Sequence, residues 1–173
     1  MKKTLLAASI AILLAPAAHA ELFISEYVEG SGNNKALEFF NPTDTTLNLA
    51  DYRINVFFNG SASAGVSVAL NGELAAGATY VFVSASASEE LLGLADQTLG
   101  GGLWNGDDAI TLTKGGQVID SIGQIGFDPG SAWGSGNITT ANDTLRRAAV
   151  SYDSNALDTF EPADQWLGFP QDD

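Results

Sequence analysis

Apolar and polar residues alternate in short bursts along the chain, and turn-forming residues end each burst. Leu22-Phe23-Ile24-Ser25-Glu26-Tyr27-Val28 predicts a strand, with Gly30, Gly32, Asn33 and Asn34 forming a loop behind it. Ala36 to Phe40 predicts a second strand, stopped by Asn41-Pro42. Tyr52, Ile54, Val56 and Phe58 alternate with Arg53, Asn55 and Phe57, and Asn59-Gly60 follows, a dipeptide suited to tight turns with positive φ. Val66, Val68 and Leu70 repeat the alternation before Asn71-Gly72. Tyr80-Val81-Phe82-Val83 is apolar throughout, which predicts a central strand covered on both faces. Ile110 and Leu112 alternate with Thr111 and Thr113, and Gly115-Gly116 reverses the chain into Val118 to Ile122, a hairpin. Thr144 to Ala148 predicts a last strand. One short helix is predicted around Ser88-Glu89-Glu90-Leu91-Leu92, where acids in a first turn suit the helix dipole. From Asp153 onward the chain reads as mostly irregular, with Phe160 and Trp166 as anchors. Roughly seven to nine short strands with frequent turns predict an all-β antiparallel β-sandwich, an antiparallel barrel being the alternative.

The first residues break this pattern. Lys2 and Lys3 precede an apolar run from Leu5 to Leu14, interrupted only by Ser9, and Pro16 and Ala18-His19-Ala20 follow. This order predicts a signal peptide over residues 1–20, cleaved before Glu21, and hence a secreted protein, extracellular or periplasmic. An apolar run of about 10 to 12 residues is too short to span a bilayer core of roughly 30 Å, so no membrane span is expected. Residues 21–173 then form one domain, long enough to build a core without disulfides.

Composition narrows the chemistry. There is no cysteine in the 173 residues, and the single histidine, His19, lies in the expected leader. Residues 21–173 retain five basic residues against all 21 acidic ones, a net charge of −16. Thiol catalysis, imidazole-based catalysis and Cys/His zinc sites are excluded from that segment. Direct nucleic-acid binding is disfavoured, because phosphate contact needs clustered Lys and Arg.

Longer strings carry a resemblance. Leu22-Phe23-Ile24-Ser25-Glu26-Tyr27-Val28-Glu29-Gly30-Ser31-Gly32-Asn33-Asn34-Lys35-Ala36-Leu37-Glu38 resembles the opening of the lamin tail domain as found in exported bacterial proteins. Asn105-Gly106-Asp107-Asp108-Ala109-Ile110, Val118-Ile119-Asp120-Ser121-Ile122-Gly123 and Thr144-Leu145-Arg146-Arg147 resemble it too, in the same order, over essentially all of residues 21–173. The resemblance implies an immunoglobulin-like β-sandwich and a non-catalytic interaction module. It also implies an alternative, an N-terminal accessory module of a secreted nuclease whose catalytic domain is missing or encoded separately. No position here matches that nuclease's catalytic residues, so no catalytic residue is assigned.

Several constellations remain as candidates. Asn105, Asp107 and Asp108 are a candidate Ca²⁺ site, although the spacing fails as an EF-hand; the competing and favoured reading is a turn in which Asp107 caps backbone N–H groups. Asp153, Asn155 and Asp158 read as a solvated loop. Glu26 and Glu38, on neighbouring strands, are paired carboxylates for which a salt bridge, with Lys35 near enough to either, is the simpler reading. Arg146 and Arg147 are a candidate phosphate or carboxylate clamp, but consecutive strand residues point to opposite faces, so each is expected to tether a separate acid. Trp133, in the Gly-rich segment 130–136, is a candidate exposed ring for a sugar or base; burial at an end of the sandwich is the competing and favoured reading for Trp104, Trp133 and Trp166. No other cofactor is implied, and a protein or a cell-surface glycan is the expected partner.

Overall fold

A computed structural model describes residues 21–173. The expected signal peptide, residues 1–20, lies outside the described residues. In chain order the elements are β1 (Phe23–Glu29), β2 (Lys35–Phe40), β3 (Leu47–Asn48), β4 (Tyr52–Phe57), β5 (Val66–Ala69), β6 (Glu73–Leu74), β7 (Thr79–Ser84), α1 (Glu89–Leu92), β8 (Gln97–Leu99), β9 (Ala109–Lys114), β10 (Gln117–Ile122), β11 (Gly134–Ser135), β12 (Ile138–Thr139), β13 (Thr144–Arg147) and β14 (Trp166–Phe169). A six-stranded sheet runs β14-β13-β1-β2-β7-β8 and a four-stranded sheet runs β10-β9-β4-β5. Two-stranded ladders, β11-β12 and β3-β6, complete the fold.

The alternation read from the sequence becomes the core. Tyr27, Leu37, Phe39, Phe82, Leu145 and Trp166 of the larger sheet share one buried cluster with Ile54, Val56, Ile110, Leu112 and Ile122 of the smaller. The result is an immunoglobulin-like β-sandwich. Burial of each such side chain stabilises it by about 1.5–3 kcal/mol. The β9–β10 hairpin turns at Gly115 and Gly116, whose φ values of 57° and 85° only glycine adopts without cost.

Two elements correct the expectations. The β7–β8 pair is parallel, so the sheets are not wholly antiparallel. A parallel neighbour needs a crossover, and the short helix supplies it: α1 sits between the two strands in sequence, with the Ser88 side chain accepting from the Leu91 N–H and Glu89 and Glu90 in the first turn. The stretch read as an irregular tail contains β14, which pairs antiparallel with β13 and buries Trp166. Gly168 is required there, because a Cβ would collide with the Asn137 carbonyl. Phe160 and Trp166 are anchors as expected, 8 % and 1 % exposed.

Candidate functional site

The outer face of the larger sheet carries two cross-strand rows. Phe169, Thr144, Val28, Ala36 and Val83 are register partners in one, and Leu167, Arg146, Glu26, Glu38 and Val81 in the next. The chain crosses this face again as α1, whose Leu91 and Leu92 pack with Ala87 and Ala95 against Val28, Ala36 and Val83. Between helix and sheet lies a groove of about 420 Å³. Its apolar lining is Val28, Ala36, Val81, Leu91 and Leu94, the last 64 % exposed. Its rim carries Glu26, Glu38, Glu90, Asp172 and Asp173, with Arg146 as its one cationic side chain.

The charges of this rim are unevenly matched. The Arg146 Nε donates to Glu26 Oε2 at 3.0 Å, and its guanidinium also meets Asp173 at 2.9 Å while lying 4.4 Å from the Phe169 ring centroid. Glu38 accepts from the Ser25 hydroxyl at 2.7 Å and has no cationic partner among the described residues. Yet Glu38 stands directly opposite Glu26 in the ladder, an arrangement of like charges that destabilises a sheet. Burial pushes the Glu26 carboxyl above its ordinary range, with Arg146 opposing and Glu38 reinforcing the shift. Asp172 is held below its ordinary range by the Asn34 amide and by Ser31.

Lys35 serves neither of these carboxylates. It faces the opposite side of β2 from Glu38, and its ammonium meets Glu29 at 2.6 Å and the Gly30 carbonyl at 2.8 Å. Arg146 and Arg147 do point to opposite faces and form no clamp. Arg147 turns inward, with its guanidinium 4.1 Å from the Trp166 ring centroid and its Nη2 donating to Asp120 Oδ1. Asp120 is fully buried and also accepts from the backbone N–H groups of Ile24 and Asp153 at 2.9 and 2.8 Å. No local pattern in the sequence signals this tie, because its members lie far apart along the chain.

The remaining candidates are structural in their contacts. Asp108, not Asp107, does the capping: its two carboxylate oxygens accept from Asn59 N–H at 2.8 Å and Asn105 N–H at 2.9 Å. Burial raises the Asp108 carboxyl, against the pull of these two N–H groups. Asp107 Oδ1 is buried without a hydrogen-bond partner. Among the described residues no group of three or more His, Cys, Asp or Glu is placed to hold a metal ion. Asn155 bridges Asp153 and Asp158 in an ordinary turn. Trp133 is 6 % exposed and lies edge-on to Phe160 at 6.1 Å, so its segment does not present the ring to solvent; Trp104 and Trp166 are buried as well. Lys114 is raised by Glu21 at 2.8 Å, the opposite of the depression a lysine base needs.

No helix of the described residues is long and apolar enough to cross a membrane. Comparison with curated proteins and with solved structures yields no match. The sequence model of the Lamin Tail Domain matches residues 15–126, which takes in β1 to β10, Glu26, Glu38 and the Asn105–Asp108 loop but ends before Trp133, Arg146 and Arg147. On that match, and with a fold to fit it, the chain belongs to the lamin tail domain family.

Proposed function

We propose that residues 21–173 act as an exported, non-catalytic interaction module whose partner is a protein. The observation that carries this reading is the groove between α1 and the outer sheet face, an apolar-lined cleft at which Leu94 is exposed. Three further facts support it. The described residues hold no imidazole or thiol. Their buried or paired charges, Asp120–Arg147, Glu29–Lys35 and Glu21–Lys114, are spent on one another. All three tryptophans are buried, which favours a protein over a glycan, since sugar recognition leans on exposed rings.

The absence of cysteine allows a clean test. A photo-crosslinker placed on Leu94→Cys, in the groove, should trap a discrete protein adduct on the surface of the producing cell, and one on Ser63→Cys, an exposed loop position, should not. Equal labelling from both positions, or turnover of a phosphodiester, ester or glycoside by the purified protein that one substitution abolishes, contradicts the reading.

A further inference from the structure

We infer that the groove receives an arginine- or lysine-bearing segment of the partner protein, with the cation seated between Glu26 and Glu38 and a neighbouring apolar side chain on the lining. The inference rests on the interaction-module reading and adds the chemistry of the occupant.

An apolar surface open to solvent is the starting point. Leu94 is 64 % exposed beside Val81 and Leu91, at the mouth of a groove of about 420 Å³, enough for one or two side chains of an extended segment. The rim decides which side chains. Five carboxylates face one guanidinium, and that guanidinium is already engaged by Glu26 and Asp173. Glu38 is left with a single hydroxyl donor, directly across from a second carboxylate in the strand register. A cation entering between them would offset a repulsion that Arg146 relieves only on the Glu26 side. A planar guanidinium suits two adjacent carboxylates, since its N–H groups fork toward both.

Other occupants fit less well. A second copy of the chain brings −16 more charge over residues 21–173 and few basic residues to offer. Nucleic acid and other polyanions are repelled by the rim. A glycan finds no aromatic ring in the groove lining.

The test is an NMR titration of the purified, ¹⁵N-labelled protein with blocked hexapeptides of alternating leucine and arginine. Three probes serve as comparisons: the same peptide with citrulline for arginine, its glutamate counterpart, and a chitin trisaccharide. The arginine peptide should shift the amides of Glu26, Glu38, Val81, Leu91 and Leu94. The citrulline peptide, having lost its charge-assisted hydrogen bonds, should bind about tenfold more weakly. Glu38→Gln should weaken the arginine peptide by a similar factor, and so should Leu94→Ala, a change at an exposed position that leaves the core untouched. Equal binding of the citrulline and arginine peptides, or shifts that map to another face, overturns the inference and leaves the module reading standing. No shift with any peptide or with the trisaccharide overturns both.

Discussion

One buried carboxylate joins three strands and a loop. Asp120 of β10 accepts from β1 through Ile24, from β13 through Arg147, and from the loop at Asp153. Arg147 in turn covers the Trp166 ring of β14. Removing one charge leaves the other buried and unpaired, so Asp120→Ala should cost about 3–5 kcal/mol, read from urea unfolding. A loss below about 1 kcal/mol would mean that the pair is incidental. Asp108→Ala should cost about 1–3 kcal/mol, because two backbone N–H groups lose their acceptor. With both Asp108 oxygens occupied in this way, melting curves in calcium and in chelator should coincide; a calcium-dependent rise in midpoint would restore the cation site at Asn105, Asp107 and Asp108. The sequence revealed at this scale what depends on parity. That Arg146 and Arg147 face apart follows from strand geometry alone. Their partners did not emerge, because Glu26 lies 120 positions from Arg146 and only the folded register joins them.

Period and turn chemistry made the longer strands legible. β4 has six residues in clean alternation and β9–β10 turns on two glycines, so the first was readable as a strand and the second as a paired hairpin. β14 has four residues including Gly168, and β8 only three, too few to show a period. The parallel β7–β8 pair was hidden for a second reason: it depends on α1 crossing the sheet face, a path that no local pattern encodes. The same crossing creates the groove, so the candidate site was less legible than the fold. The helix is only four residues long and leans on its cap. Ser88→Ala should cost about 1 kcal/mol and speed hydrogen exchange at Leu91 and Leu92 more than in β9. Uniform acceleration across the molecule would show that α1 is not a separately yielding element.

Acidity governs the molecule as a whole. The carboxyls of Glu26, Asp108 and Asp153 lie above their ordinary range, with burial the leading cause in each. A carboxyl with a raised pKa holds its proton more tightly when folded. Its stabilising contribution is therefore full below the ordinary range and fades as pH climbs through the raised value. Self-repulsion among 21 acids acts in the same direction. The unfolding midpoint should accordingly rise as pH falls through these raised values toward the ordinary carboxyl range of about 4, Asp172 alone opposing the trend, and a midpoint that drops over this interval would contradict the electrostatic picture. The proposed cation site draws on this acidity through two carboxylates, Glu26 and Glu38, that stand opposite each other in the ladder. The most direct measurement is the unfolding midpoint of Glu38→Gln against the parent at neutral pH and low salt. Relief of a cross-strand like-charge pair should raise the midpoint by about 1–3 °C. A lower midpoint would show that Glu38 stabilises the fold and is not held in reserve for a partner.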